Sequence, residues 1–308
     1  MDVVSDAISA VRLGRPSSNR VRVTGSWCAR LAPYDGAGFH VVLKGGCWLL
    51  SDGGTPISLG VGDAVLLPHG TGHVIADSPQ DAAAVRQAVP FEDWAGEPGP
   101  DAGTDRDAVE LLCGKYRMDQ GRLHPLMAEL PTVVHLPHRV GGQPELRAAI
   151  DLLSGELDAR RPGSCTALPS LLDLLLVYML RAWLAEGTSG AWPAVLGDPV
   201  TASALRALHT APDAPWSNDR LAAEVGVSRP TLARRFTPLV GRPPMAYLTW
   251  WRLTLAATQL RDTPDTLATI ARRVGYGSPY ALSHAFDREF GTTPGRYRAQ
   301  TGRPAVNA

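Results

Sequence analysis

The chain has 308 residues, about twice the roughly 150 that are typical of one domain, so its length favours two domains. With 44% hydrophobic and 19% charged residues it has enough apolar surface for a sizeable core, which excludes fibrous, collagenous and wholly disordered classes. The formal net charge is zero.

The N-terminal residues do not have the features of a secretory signal, because residues 1–13 contain two aspartates and no apolar run of the required length. The most apolar stretch, Leu168–Leu184, is interrupted by Asp173 and Arg181 and is shorter than the ~20 residues that cross a bilayer. The four cysteines have no CxxC or metal-ligand spacing, in a chain too long to need disulfides. The sequence therefore predicts a soluble cytoplasmic protein with no membrane partner.

The first 80 residues are predicted to form short strands separated by turns. A short amphipathic segment comes first, with Val4, Ile8 and Val11 on one helical face. The strand candidates alternate with turn segments rich in glycine. They are Arg20–Thr24, Trp27–Leu31, Phe39–Leu43, Cys47–Leu50, Ile57–Leu59, Ala64–Leu67 and Val74–Ala76. Many short strands at this spacing favour a small antiparallel sandwich or barrel.

One strand candidate lies inside a known motif. Residues 62–73 read GDAVLLPHGTGH and match the second cupin motif, G-x5-P-x-G-x2-H, at every fixed position. Gly62 makes the turn before an apolar strand, Pro68 and Gly70 turn the chain after it, and His73 re-enters the barrel wall. Residues 1–140 therefore resemble a cupin, a jelly-roll barrel whose mouth holds a small ligand or a metal in many members of the family.

The metal ligands of that family are depleted in this chain. The first cupin motif normally supplies two histidines and a glutamate, whereas residues 34–45 offer only His40. Two histidines are too few for a secure metal site. A thiol from Cys28 or Cys47 could complete a soft site with His40 and His73, but packing in the barrel is the favoured interpretation. Apart from this possible metal, no cofactor is expected.

The cysteines raise a second alternative. Cys28 and Cys47 each neighbour a tryptophan on a predicted strand, and free cysteine is among the most buried residue types, which favours a packing role. A redox or electrophile sensor is the other interpretation, and Cys113 is a further candidate for that role. Such a sensor requires an accessible thiol with a lowered pKa.

Residues 141–186 change to helical periodicity. Apolar residues recur at helical spacing from Leu146 to Leu157, and a second run from Leu168 to Leu180 is apolar around most of its circumference. One barrel wall could not cover so much apolar surface. The segment is therefore expected to be a helical hairpin that packs against a second copy of the chain, forming a homodimer.

A linker rich in glycine and proline, residues 187–199, is expected to separate two halves of opposite charge. Residues 200–308 contain fourteen arginines and seven acidic residues, a net charge of +7. Because the whole chain carries 30 cations and 30 acids, residues 1–199 carry −7. A basic half can release counterions from a polyanion that would repel the acidic half, so nucleic acid is the indicated partner.

The second half contains the same pattern twice. LAAEVGVS at 221–228 aligns with IARRVGYG at 270–277, and L-x3-F-x3-[VF]-G-x2-P-x2-Y occurs at 232–247 and again at 282–297. Each copy indicates a short helix, a glycine turn and a second helix capped by Ser228 or Ser278. These are two helix-turn-helix units, at about 219–241 and 267–291, whose second helices would enter a major groove.

Residues 200–308 resemble the AraC/XylS-type DNA-binding domain, which holds two such units. Residues 274–298, VGYGSPYALSHAFDREFGTTPGRYR, match that family's most characteristic segment almost throughout. With the cupin-like first half, nearly the whole chain is similar to AraC-type regulators that carry a cupin sensor. The implied fold class is α+β, a jelly-roll barrel plus a helical hairpin followed by an all-α domain.

The resemblance also implies which side chains face DNA. The base-facing positions are Pro230, Ala233 and Arg234 in the first recognition helix and Pro279, Tyr280, Ser283 and His284 in the second. Because Pro230 and Ala233 cannot donate a side-chain hydrogen bond, Arg234 is expected to carry most of the base reading of the first helix. The remaining DNA-binding candidates are Arg229 and Arg235, assigned to phosphates, and Arg288.

The two units are joined by Met245–Leu260, sixteen residues that would form a helix of about 24 Å. That length could hold two recognition helices about one DNA turn apart. Its two tryptophans, Trp250 and Trp251, are expected to pack in the core and not to stack on bases.

The sequence thus predicts a sequence-specific transcription regulator, not an enzyme, whose cupin domain senses a small molecule or a redox signal. Its expected partners are promoter DNA, a second copy of itself, an effector and, if it activates transcription, RNA polymerase. The alternative is a metal-dependent cupin enzyme with a helical appendage, which would leave the duplicated second half without a role.

Overall fold

The computed structural model describes residues 3–11, 15–51, 53–79, 85–94, 108–118, 124–139, 141–159, 161–186 and 191–301. The chain forms two compact units. The sheet unit comprises Arg12–Leu123 and Leu130–Thr188, and the helical unit comprises Met1–Val11, His124–Glu129 and Ser189–Ala308. Two short segments of the first half of the chain therefore belong to the helical unit.

The elements are numbered in chain order. The strands are β1 Ser17–Val23, β2 Cys28–Leu31, β3 Gly36–Lys44, β4 Cys47–Ser51, β5 Ile57–Leu59, β6 Ala64–Leu67, β7 His73–Ala76, β8 Val89–Pro90, β9 Val109–Arg117 and β10 Val134–Leu136. The helices are α1 Val3–Val11, α2 Phe91–Trp94, α3 Pro125–Ala128, α4 Pro144–Ala159, α5 Ser164–Ala185, α6 Ala191–Gly197, α7 Pro199–Thr210, α8 Asn218–Glu224, α9 Arg229–Val240, α10 Pro244–Asp262, α11 Leu267–Arg273, α12 Pro279–Phe290 and α13 Pro294–Thr301.

The sheet unit contains two five-stranded sheets, ordered β1-β9-β3-β6-β10 and β5-β4-β7-β2-β8. The pairs are antiparallel, except for the parallel pair of β2 with β8. Side chains from both sheets, including Trp27, Val42, Leu49 and Ile75, form one buried apolar cluster. The seven predicted strands are confirmed, with ends that shift by at most three residues.

Strand β9 lies between β1 and β3 inside its sheet and is not among the predicted strands. Its residues from Leu111 to Gly114 are buried without interruption, so the middle of the strand lacks the period-2 alternation that indicates a half-buried strand. Both of its pairings are with strands more than 60 residues earlier in the chain. The strand therefore depends on long-range pairing that a local pattern does not encode.

The predicted helical hairpin is present as α4 and α5. The Tyr116 hydroxyl on β9 donates a hydrogen bond of 2.6 Å to the Leu172 carbonyl, which attaches α5 to the barrel. Arg20 on β1 forms ion pairs with Glu110 on β9 and with Asp158 on α4, which attaches α4 to the barrel. Within the described residues, α5 has the length and apolar composition of a membrane span, and 39% of its most apolar window is buried inside the protein.

The helical unit contains the two predicted helix-turn-helix units, α8 with α9 and α11 with α12, joined by the 19-residue helix α10 of about 28 Å. Ser228 and Ser278 accept hydrogen bonds from the backbone N–H groups of Thr231 and Ala281, so both predicted caps form. The leucine and phenylalanine side chains that recur in the two copies are fully buried. Trp250 and Trp251 are buried too, as the packing interpretation predicts.

The expected linker contains a helix. Helix α6 lies at 191–197 inside the Gly- and Pro-rich stretch, and its Trp192 and Val195 side chains are fully buried in the helical unit. Pro193 is tolerated because it falls in the first turn, where no intrahelical N–H partner is needed. The expectation of a linker without regular structure at residues 187–199 is therefore wrong for residues 191–197. Its Gly- and Pro-rich composition lacks helical periodicity, but the buried Trp192 side chain provides enough apolar surface to hold this short helix against the unit.

Candidate DNA-reading surface and barrel cavity

The outer faces of the two recognition helices α9 and α12 are open to solvent. Arg234 is exposed on α9 and His284 is exposed on α12. Tyr280, in the first turn of α12, is 81% exposed, an unusual state for so large an aromatic side chain. The remaining predicted base-facing residues are also exposed, except for Ser283, which is half-buried; they are Pro230, Ala233 and Pro279.

The predicted phosphate-binding arginines have partners inside the unit. Arg235 Nη1 lies 3.3 Å from Asp198 Oδ1, and Arg229 Nη1 lies 3.8 Å from Asp219 Oδ2. In the part of the chain that the structure describes, Arg234 and Arg288 make no ion pair. Surface ion pairs contribute only about 0–1 kcal/mol, so Arg229 and Arg235 can exchange a carboxylate for a phosphate.

A buried polar chain lies beneath the first helix-turn-helix unit. His124 Nε2 lies 3.0 Å from the Tyr247 hydroxyl, which lies 2.8 Å from His209 Nε2, and His209 Nδ1 lies 2.9 Å from the Asp6 carboxylate. All four residues belong to the helical unit and each is at most 8% exposed. The Tyr247 ring also meets the Phe236 ring of α9 at 5.9 Å.

The partners at the two ends fix the direction of every hydrogen bond in this chain. The Leu126 N–H donates to His124 Nδ1, so the proton of a neutral His124 is on Nε2 and is donated to the Tyr247 oxygen. Tyr247 then donates its own proton to His209 Nε2, and His209 Nδ1–H donates to Asp6. Burial lowers the pKa of His124 well below its ordinary value and raises that of Tyr247, which keeps both groups neutral.

The barrel contains a second buried chain, built on His40 of β3, His73 of β7 and Cys113 of β9. His40 Nδ1 lies 3.0 Å from the Cys113 sulfur, and His40 Nε2 lies 2.7 Å from His73 Nε2. His73 Nδ1 lies 3.1 Å from the Thr71 carbonyl, which can only accept. His73 therefore donates from Nδ1 and accepts at Nε2 from His40, whose Nδ1 accepts from the Cys113 thiol.

The electrostatics of the barrel chain agree with this assignment. Burial lowers the pKa of His40 well below its ordinary value and that of His73 to about 4, so both rings are neutral near pH 7. Burial also raises the pKa of the Cys113 thiol, which therefore keeps its proton. Every nitrogen of the two rings is engaged in a hydrogen bond.

The donor set does not fit the metal that many cupins carry. A metal needs three or more ligand atoms converging at about 2.0–2.3 Å, whereas His40 directs its two nitrogens to two different partners. Across the described ranges, no group of three His, Cys, Asp or Glu side chains is arranged to hold a metal ion.

The thiol that meets the histidines is that of Cys113. Cys28 packs near Leu50 and Val74, and Cys47 belongs to the main barrel core. From the sequence, Cys113 is a candidate only for a redox role, and its strand β9 is not among the predicted strands. The one available signal was that VELLCGKYR combines β-branched, aromatic and apolar residues over nine positions.

A cavity of about 360 Å³ adjoins the histidines. One strand position next to it is glycine: a Cβ at Gly38 would lie 2.5 Å from the Tyr34 hydroxyl, so Gly38 leaves room for the Tyr34 side chain at the cavity. The Lys115 ammonium lies 4.9 Å from the centroid of the Tyr34 ring. The full lining is Ser17, Ser18, Asn19, Leu31, Tyr34, Gly38, His40, His73, Phe91, Cys113, Gly114 and Lys115.

A two-sheet barrel followed by two helix-turn-helix units defines a class of DNA-binding regulator. Residues 2–185 match the family model described as cupin, and residues 221–300 match that described as helix-turn-helix domain. The chain is 36% identical over 307 residues to a putative AraC-like transcription regulator of Streptomyces lividans, covering 99% of this chain and 100% of the relative. The chain belongs to the AraC-like transcription regulators with an N-terminal cupin domain.

A second relative matches over almost the whole chain. A putative AraC-like transcription regulator of Streptomyces antibioticus is 34% identical over 305 residues, which cover 97% of this chain and 98% of the relative. Among solved structures, the DNA-binding domain of AdpA in complex with a target DNA is 33% identical over 33% of this chain and 92% of that chain, with a TM-score of 0.32. The predicted family and fold class are confirmed, and the protein is a DNA-binding transcription regulator.

Proposed function

We propose that this regulator is not an enzyme and acts in the cytoplasm as a homodimer, binding promoter DNA through α9 and α12 under the control of a signal received in the barrel. The exposure of Arg234 and His284 on helices whose opposite faces are fully buried is the observation that carries the DNA-binding part. If the protein activates transcription, RNA polymerase is a further partner.

The two recognition helices present different chemistry to DNA. Arg234 offers the bidentate donor pair that suits guanine, and its neighbours Pro230 and Ala233 offer only apolar contact. The second helix presents His284, Ser283 and the exposed Tyr280. We therefore expect the first unit to specify fewer base pairs than the second, with the ion-paired arginines supplying register at the phosphates.

Electrophoretic mobility of promoter DNA tests this assignment. Arg234→Ala and His284→Ala should each weaken specific binding about 5- to 100-fold, the equivalent of one lost base contact, and should change non-specific binding much less. Arg296→Ala is the matched control, because Arg296 is an exposed arginine of α13 outside both recognition helices. Unchanged specific affinity in both reader variants would reject the assignment.

The hairpin supports the proposed dimer. Leu152 on α4 is 59% exposed and Leu174 on α5 is 38% exposed, although both lie on helices that are otherwise packed by leucine. A second copy of the chain would remove this apolar surface from water. Sedimentation of the full chain should give a dimer, and the double variant Leu152→Glu with Leu174→Glu should give a monomer. The control is Leu59→Val, a small change inside the barrel core, which should remain a dimer.

A small molecule fits the barrel better than an oxidant does. Burial raises the pKa of Cys28, raises that of Cys47 to about 12 and raises that of Cys113, so the reactive thiolate form is rare in all three. The cavity, in contrast, is large enough for an organic ligand. If the signal were an oxidant, replacing one of these cysteines by serine should abolish the response of DNA binding to oxidant.

A further inference from the structure

We propose that the barrel cavity binds a small organic carboxylate, with the carboxylate group at Tyr34 and Lys115 and the apolar part against Leu31 and Phe91. This proposal rests on the proposed function, because it names the ligand class of the barrel that we take to be the sensor.

The histidines of the wall have no spare hydrogen-bonding capacity. His73 donates to the Thr71 carbonyl and accepts from His40, and His40 accepts from Cys113. A ligand that bound to either ring would have to break this chain. The two histidines therefore offer no hydrogen bond to a ligand, and other groups of the wall must recognise it.

One other polar atom of the lining, the Tyr34 hydroxyl oxygen, is buried without a partner among the described residues. A buried hydroxyl that makes no hydrogen bond is unfavourable, so this position is suited to a ligand atom that accepts a hydrogen bond. Burial raises the pKa of Tyr34, which keeps its hydroxyl protonated and able to donate.

The charge of the lining selects the sign of the ligand. Lys115 is the one formally charged side chain that lines the cavity, and no described lining residue is a carboxylate. Both neighbouring histidines are held neutral by burial. An anion would gain an ion pair with Lys115 in addition to the hydrogen bond from the Tyr34 hydroxyl, whereas a cation would find no carboxylate partner among the described lining residues.

The volume and the apolar part of the wall set the size. A cavity of about 360 Å³ corresponds to roughly a dozen water molecules at ~30 Å³ each, or about ten non-hydrogen atoms of a ligand. Leu31 and Phe91 supply apolar surface. A carboxylate with about seven further carbon atoms satisfies both the polar and the apolar groups.

Isothermal titration calorimetry of the full chain without DNA tests the proposal, using octanoate and its neutral amide, octanamide, as probes. Octanoate should bind at least tenfold more tightly than octanamide. Tyr34→Phe should weaken octanoate binding about tenfold, since it removes one hydrogen bond to a charged group. Lys115→Gln should weaken it about threefold, with the difference shrinking at high salt, because Lys115 is exposed.

Matched controls exist for both variants. Lys44 is the chain's other lysine, and Lys44→Gln should leave octanoate binding unchanged. Tyr178 lies on α5 and does not line the cavity, so Tyr178→Phe should do the same. Equal affinities for octanoate and octanamide, tighter binding of inorganic phosphate than of octanoate, or no heat from any probe would each overturn the proposal, and none of these comparisons requires a variant to fold.

The ligand class and the regulatory function can fail separately. Mobility-shift titrations of promoter DNA with and without octanoate test the regulatory function. If octanoate binds but DNA affinity does not change, the ligand class stands and sensing by the barrel fails. If octanoate does not bind and another compound shifts DNA affinity, the ligand class is wrong and the proposed function stands.

Discussion

The Tyr247 hydroxyl makes a sharp test of the polar chain in the helical unit. Tyr247→Phe keeps the ring, with its packing against Phe236 at 5.9 Å and Trp250 at 5.5 Å, and removes only the oxygen. Two groups then lose their partners in a dry interior. They are the Nε2–H of His124 and the Nε2 lone pair of His209, which lie 3.0 and 2.8 Å from that oxygen.

The magnitude follows from these two orphaned groups. Leaving a buried donor or acceptor unpaired costs about 1–3 kcal/mol, and two of them would cost about 2–5 kcal/mol after partial relaxation. That is a large share of the typical 5–15 kcal/mol stability of a domain. The cost should appear in the helical unit, to which all the members of the chain belong.

Urea unfolding followed by tryptophan fluorescence measures the effect, because the Trp192, Trp250 and Trp251 rings lie 5.2, 5.5 and 6.1 Å from the His124 ring and respond when the helical unit unfolds. Tyr280→Phe is the control in the same unit, since Tyr280 is exposed and should change stability by no more than about 0.5 kcal/mol. If Tyr247→Phe is as stable as Tyr280→Phe, the hydroxyl does not satisfy both imidazoles and our reasoning is refuted.

Three further predictions concern other parts of the molecule. Burial lowers the pKa of His73 from 6.5 to about 4, so between these pH values an unfolded His73 binds a proton and a folded one does not. This group should therefore lower the unfolding free energy by up to about 1.4 kcal/mol per pH unit as pH falls below 6.5. In urea unfolding, His73→Gln should lose less stability between pH 7 and pH 5 than the unaltered protein does, and an equal loss would contradict the assignment. Gly275→Ala should destabilise more than Gly241→Ala in thermal unfolding, since both have a positive φ but only at Gly275 would a Cβ meet backbone, 2.7 Å from Asp213 Cα. Arg235→Ala should weaken binding to all DNA sequences alike and reduce the salt slope by about one, and a loss confined to one operator sequence would instead make Arg235 a base reader.

The helix-turn-helix units were predictable because their determinants are local. A serine cap, a glycine turn and apolar residues four positions apart act within one or two helical turns, so the pattern at Ser228–Val240 and its copy at Ser278–Phe290 give helix ends that agree with the structure. The exposed positions of Arg234 and His284 follow from the same periodicity. The strand segments before Ala76 were likewise marked by the turns that bound them.

The sequence by itself therefore determined the family, the seven strands up to Ala76, the helix-turn-helix units and the outward face of each recognition helix. Tertiary structure alone decided which distant residues meet: that β9 brings Cys113 to His40 and Lys115 to Tyr34, and that Asp6 reaches His209 across 203 residues. The physical reason is range. Caps and helical periods are set by neighbouring residues, whereas strand pairing and buried hydrogen bonds between separate segments are set by the packing of the whole core, which no local pattern records.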